Sequence, residues 1–295
     1  MTSHTFRTWL LAVSTIGIFV CPAPAGADDG ESLLARHAQL QGLLRQNAFG
    51  RPLVLDSLES ASRVQGQIHA VVNYPFAVVR TGLDSPASWC DVMSLHANTK
   101  YCRVVATPGG PRLNVNIGKK TAEELKDAPR VEFLYTTVAA TARYLNITLS
   151  AASGPLGTRD YRIELQAIPI GPAQTFMHLS YSYSANGAAR LAMSTYLATV
   201  GHGKVGFTPT AQAGGGTPEY VGGVRGLMER NTMRYYLAID SFLEATSAAP
   251  SAQLERRLQS WFTAVEQYPR QLHEMDRNAY VTMKRDEYLR QQTAE

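Results

Sequence analysis

Two stretches with strict alternation are the clearest pattern in the chain. Between Asp160 and Ile168, Tyr161, Ile163, Leu165 and Ala167 alternate with Arg162, Glu164 and Gln166. Between Gln174 and Ser184, Met177, Leu179, Tyr181 and Tyr183 alternate with His178, Ser180 and Ser182. A period of two marks half-buried antiparallel strands, and Gly171-Pro172 between them predicts a hairpin. Pro52–Glu59 and Val64–Val72 read as two further strands turning at Ser60-Ala61-Ser62. Leu95–Val105, Arg112–Gly118 and a long, bent Val131–Ala151 complete the extended segments, with turns at Pro108–Pro111 and Gly154–Gly157.

The rest of the pattern is helical. Leucines 33, 34, 40, 43 and 44 place Glu31–Asn47 in an amphipathic helix with one apolar face. Asn73 and Pro75 open a helix to about Leu83, and Asp84-Ser85-Pro86 opens a second carrying Trp89, Cys90 and Met93. Gly187–Val200 is helical by spacing. The glycine-rich run 201–223 holds only a short Lys204–Thr208 segment. Gly223–Ala245 is a long helix whose apolar face holds Val224, Leu227, Met228, Asn231, Tyr235, Ala238 and Phe242. Pro250 opens another helix through Trp261 and Phe262, and Pro269 separates it from a last one ending near Gln292.

The N-terminus changes the expected compartment. Arg7 is the only charge before Asp28. An apolar run from Trp9 to Val20 leads to Ala25-Gly26-Ala27, a signal-peptide pattern with cleavage after Ala27 and export to the periplasm or beyond. Val20 before Cys21 argues against lipidation. Cleavage removes Cys21 and leaves Cys90 and Cys102, which in an oxidising compartment tend to pair. Such a bridge is worth about 3 kcal/mol; two buried free thiols remain the alternative. The formal charge of +4 falls to +3 without Arg7, too small to point to nucleic acid. Beyond the leader no apolar run approaches the roughly 20 residues of a membrane span. With 45% hydrophobic and 18% charged residues, the chain has enough apolar material for a sizeable core.

The order of strand, two short helices, several antiparallel strands and a long helix resembles the START-like superfamily, the helix-grip or polyketide cyclase-like fold. The residues carrying the resemblance are NYPFAVV at the first short helix, LDSPASWCDVM at the second, RDYRIELQAI and TFMHLSYSYS as late strands, and Gly223–Ala245 as the gripped helix. WCDVMSLHANTKYC, DYRIELQAIPI and RNTMRYYLAID are also similar to exported proteobacterial proteins of unassigned activity. The helix and glycine-rich insert at 185–222 and the helical tail after Pro250 depart from the family pattern. The resemblance implies an α+β fold, a curved antiparallel sheet gripping a long C-terminal helix, with extra C-terminal helices. The chain then divides into a leader (1–27), an N-terminal helix (28–50), a START-like domain (51–245) and a helical extension (246–295). Relatives mostly hold lipids, sterols or other apolar molecules, and a minority catalyse cyclisation, hydrolysis or dehydration.

Candidate chemistry follows from these placements. Trp89, Tyr161, Tyr181, Tyr183, Asn231 and Tyr235 are the candidate ligand-binding set, the tyrosines giving apolar walls with hydroxyl tips. The alternative is a packed core. If the protein is an enzyme, Glu164, His178 and Tyr181 are the candidate catalytic groups, with Arg162 and Ser180 beside them. The alternation instead favours a solvent-facing polar ladder. His96 and Lys100 can stand at a cavity mouth or at a solvated corner. Arg225–Glu229 is an i,i+4 pair, so Arg225, Arg230 and Arg234 read as a solvated face, with anion binding by Arg230 and Arg234 the alternative. His202 suits a mobile lid or an ordinary linker. No histidine pair has metal-ligand spacing, and no cofactor is expected. The expected partner is an apolar or amphipathic small molecule. An envelope protein docking on the C-terminal helices is the other partner considered.

Overall fold

The computed structural model describes residues 25–199, 203–211 and 218–293. The leader, His202 and the run 213–217 lie outside or largely outside these, and the cleavage motif meets the described chain only where α1 (Ala25–Arg45) begins. The strands are β1 (Leu53–Glu59), β2 (Arg63–Val72), β3 (Thr99–Val105), β4 (Arg112–Ile117), β5 (Arg130–Ala140), β6 (Leu145–Ser153), β7 (Arg159–Gly171) and β8 (Gln174–Ser184). They form one antiparallel sheet in the order β1-β2-β8-β7-β6-β5-β4-β3. Two short helices, α2 (Phe76–Leu83) and α3 (Pro86–Ser94), fill the crossover from β2 to β3. The remaining helices are α4 (Gly187–Thr199), α5 (Gly223–Ala245), α6 (Pro250–Val265), α7 (Pro269–Leu272) and α8 (Arg277–Thr293). A two-strand ladder of β9 (Pro209–Ala211) and β10 (Glu219–Tyr220) lies between α4 and α5. The chain thus has the α+β helix-grip architecture anticipated from its element order.

The period-two pattern decides which side of the sheet meets α5. Val64, Ile68, Ala70, Met177, Leu179, Ile163, Leu165 and Ala167 are buried on the inner face. Opposite them α5 crosses β1, β2 and β8. The approach is close at Gly66, where a Cβ would stand 2.3 Å from Thr232 Oγ1. On the outer face α1 seats Leu33, Leu40 and Leu44 against Tyr144, Ile168 and Phe176. Leu34 and Leu43 are not part of that contact, being 52% and 55% exposed. The outer face of the sheet meets only the narrow stripe 33–37–40–44, in which the His37 ring sits 4.8 Å from Phe176.

Three further expectations are corrected. The long segment 131–151 is two strands, β5 and β6, folded at Thr141-Ala142-Arg143-Tyr144, where the Thr141 hydroxyl accepts the Tyr144 N–H at 3.0 Å. Leu191 on α4 is exposed, whereas Ala189 and Met193 are buried. The expected solvated face of α5 is confined to Arg225, which is partly exposed and lies 3.8 Å from Glu229. Arg230 and Arg234 are buried because α6, α7 and the segment around Phe207 cover the side away from the sheet. The apolar faces of α6 and α8, including Leu258, Trp261, Phe262, Tyr280 and Val281, join the same core as the sheet.

The edge strand β3 is closed by α8. Gln291 Oε1 accepts the Cys102 N–H at 3.2 Å, and Lys284 Nζ donates to Thr99 O at 2.7 Å. Lys100 and Lys284 both bond Glu287, at 2.9 and 2.7 Å, in a buried triad. Cys90 on α3 and Cys102 on β3 form a disulfide. No helix among the described residues is long and apolar enough to cross a membrane.

Candidate functional site

The alternation of β7 and β8 sends Tyr161, Tyr181 and Tyr183 to the inner face, where they meet Tyr235 of α5. Ring centroids are 5.3 Å apart for Tyr161–Tyr183 and for Tyr181–Tyr235, and 6.3 Å for Tyr161–Tyr181. Phe133 closes the group edge-on to Tyr161. The Tyr183 hydroxyl contacts Met193 Sδ of α4 at 3.3 Å, and the Tyr161 hydroxyl shares a 2.6 Å bond with Thr158. Among the described residues, neither the Tyr181 nor the Tyr235 hydroxyl has a hydrogen-bond partner. Burial pushes both phenols above their ordinary pKa, with neighbouring tyrosines adding to it. Tyr161 and Tyr235 are only half-buried, as is Asn231 one turn away.

His96 extends this group. Its ring lies 4.4 Å from Tyr235 and 6.2 Å from Trp261, and its Nε2 is buried without a hydrogen-bond partner among the described residues. Burial, reinforced by Arg234 and Lys284, holds its pKa at about 3, so the ring is neutral. Lys100, read beside it at either a cavity mouth or a solvated corner, stands at neither and is sealed in the triad with Glu287.

The six candidate ligand residues divide. Tyr161, Tyr181, Tyr183 and Tyr235 come together, with Asn231 on the next turn of α5. Trp89 does not join them: it is fully buried and donates its indole N–H to Leu83 O at 2.9 Å. The candidate acid–base set does not assemble. Glu164 and His178 lie on the outer face, whereas Tyr181 lies on the inner one, because neighbouring strand residues point to opposite sides. His178 stacks on His69 at 4.3 Å and lies within hydrogen-bond distance of Gln67 and Gln166. Glu164 bonds Arg162 at 3.1 Å. These residues form the cross-strand polar ladder.

The sequence reading missed a cluster beside Asn231. Arg234 on α5 bonds Asn231 Oδ1 at 3.4 Å and Glu274 at 2.5 Å. Lys120, in the loop after β4, reaches the same carboxylate at 2.5 Å, and Lys204 lies 3.9 Å from it. These groups come from four separate segments, so no spacing in the chain announces them. Lys204 also lines a cleft of about 300 Å³ between α4 and the start of α5, with Leu197 and Val224. No group of three or more potential metal-ligating side chains occurs among the described residues.

With this geometry in view, the chain can be set beside known proteins. No protein-family model and no curated protein matches it. Among solved structures it is similar to norcoclaurine synthase from Thalictrum flavum, with 14% identity, 51% of this chain and 80% of that one covered, and a TM-score of 0.33. It is similar to human StAR-related lipid transfer protein 5, at 9% identity over 82% of this chain and 97% of that one, TM-score 0.31. A conserved protein from Geobacillus kaustophilus shares 9% identity over 62% and 96%, TM-score 0.37. By its own strand order and helix placement, this chain has a START-like fold. Such distant likeness assigns it no ligand and no reaction.

Proposed function

We propose that the protein binds an apolar or amphipathic small molecule between the sheet and α5 without transforming it, and that it is exported and acts in the periplasm or outside the cell. The observation carrying this reading is the tyrosine group, in which the Tyr181 and Tyr235 hydroxyls have no partner among the described residues. Two hydroxyls on an inner apolar wall that no described protein group satisfies are suited to a ligand's polar atom. Apolar contact with the rings contributes roughly 25 cal/mol per Å² removed from water, and the hydroxyls set orientation. Export is supported by the leader pattern and by the Cys90–Cys102 disulfide, a bond that persists in oxidising compartments.

The test is native mass spectrometry of the protein purified from the periplasm, followed by organic extraction. A stoichiometric apolar molecule, reduced in the Tyr235→Phe or Tyr181→Phe variant, is the expected result. A clean apo mass, unchanged after exposure to a membrane lipid extract, would overturn the reading.

A further inference from the structure

A cavity of about 30 Å³ lies where α3, β3, α6 and α8 meet, and none of the inner-wall tyrosines lines it. It has room for roughly two water-sized occupants. Its walls carry three cations, Lys100, Lys284 and Arg257, and two carboxylates, Glu287 and Asp91. Glu287 gives one oxygen to each lysine, and Asp91 pairs with Arg257 at 2.7 Å. The remaining partners are neutral. Lys100 also donates to Ala97 O and contacts Met283 Sδ, Lys284 donates to Thr99 O, and Arg257 donates to Gln253 Oε1. Outside the walls, Arg285 and Glu255 pair with each other in solvent. The walls therefore hold one positive charge more than their carboxylates balance. Lys100 and Lys284 are 1% and 3% exposed, so solvent does little to screen it.

Donors are left over in the same place. Arg257 Nε and Ser94 Oγ, both on lining residues, are buried with no hydrogen-bond partner among the described residues. The Lys284 ammonium has three N–H groups and two acceptors, Thr99 O and Glu287 Oε2. Burial lowers its pKa to about 8, with Glu287 opposing the shift and Lys100 adding to it. Both Glu287 oxygens are already engaged, so what the walls can still offer is donors and positive charge.

We propose that this cavity is a binding site for a small monovalent anion of chloride size, held by Lys284, Arg257 and Ser94. One negative charge brings the walls to balance, and two of its three contacts are charge-assisted. Sulfate is too large for the space and carries twice the charge required. Because the three donors come from α8, α6 and α3, the ion binds only the assembled corner and stabilises it by mass action.

Urea unfolding of the protein in rising chloride, with gluconate holding ionic strength constant, tests the site. The midpoint is expected to rise with chloride and then saturate. A crystal grown in bromide is expected to show anomalous scattering in the cavity beside Lys284. In Ser94→Ala the chloride concentration giving half the effect should rise about tenfold, the loss of one hydrogen bond to a charged group. In Lys284→Met the walls hold two cations and two carboxylates, and the chloride response should vanish. Circular dichroism checks the fold of both variants, and Ser94→Ala carries the test alone if Lys284→Met does not fold. Equal midpoints in chloride and gluconate, or a cavity without bromide, would overturn the proposal. A chloride response unchanged in Ser94→Ala would also overturn it and move the effect to the protein surface.

Discussion

Gly66 on β2 and Thr232 on α5 touch so closely that no side chain fits between them: an added Cβ would meet Thr232 Oγ1 at 2.3 Å and Met228 Cγ at 3.1 Å. This contact sets how deeply the gripped helix sits on the sheet. Overpacking at such a contact costs about 1–3 kcal/mol, so Gly66→Ala should lower the urea midpoint accordingly. Adding Thr232→Ala removes the nearest atom and should recover part of the loss. An unchanged midpoint in the single variant would show that α5 lifts freely.

Glu229 is expected to behave as a structural anchor. It is fully buried, and its carboxylate accepts the Phe207 and Thr208 N–H groups at 2.6 and 2.9 Å, the Ser57 hydroxyl at 2.5 Å and the Thr208 hydroxyl at 2.7 Å. Replacing it by Gln turns one charged acceptor oxygen into a donor facing donors, at a cost of about 1–3 kcal/mol. The 203–208 segment is the part held, so amide exchange there should accelerate more than in β6 or β7.

Acid should weaken the seat of α1. His69 lies under that helix, stacked on His178 and near Arg36, and burial followed by those two charges lowers its pKa to about 3. His178 is lowered too, by burial first, with Glu164 opposing and Arg36 adding. The unfolded chain therefore binds protons from pH 6.5 downward that the folded chain refuses. Stability is intact above about 6.5 and falls below it, at up to about 1.4 kcal/mol per pH unit per histidine until the folded pKa is reached. Denaturant midpoints measured from pH 7 to pH 4 check this, and His69→Phe should flatten the slope. A midpoint that rises on acidification would contradict it.

Reducing the Cys90–Cys102 bridge, or replacing both residues by Ala, should cost about 2–4 kcal/mol, chiefly by freeing the unfolded chain. Urea unfolding with and without dithiothreitol gives the number. The double-Ala variant should show no further response to the reductant.

Local alternation made the sheet legible. The β7–β8 hairpin and the limits of α5 follow from the pattern, because turn glycine and proline residues bracket them and the inner and outer faces differ in polarity. The fold between β5 and β6 was hidden, since Thr141-Ala142-Arg143-Tyr144 has neither glycine nor proline and the apolar alternation runs almost unbroken across it. Four of the tyrosines were readable as one inner wall, and the polar ladder of Glu164 and His178 as its opposite side. Arg234, Lys120, Lys204 and Glu274 were not readable as a group. An i,i+4 charge pair on α5 looks like a solvated surface, and nothing local says that later helices bury that side. The same blindness made Trp89 look like a pocket wall, when its N–H is already occupied by the carbonyl of Leu83.

The seal that Gln291 and Lys284 place on β3 gives the last helix a protective office as well as a packing one. A strand edge with exposed N–H and C=O groups is a template for another chain. A nick or premature stop ahead of Arg277 would strip the covering from Thr99 and Cys102 while leaving all eight strands in the polypeptide. The resulting truncate would fail first by self-association, sheet edge to sheet edge, and its loss from solution would rise with protein concentration rather than with temperature alone.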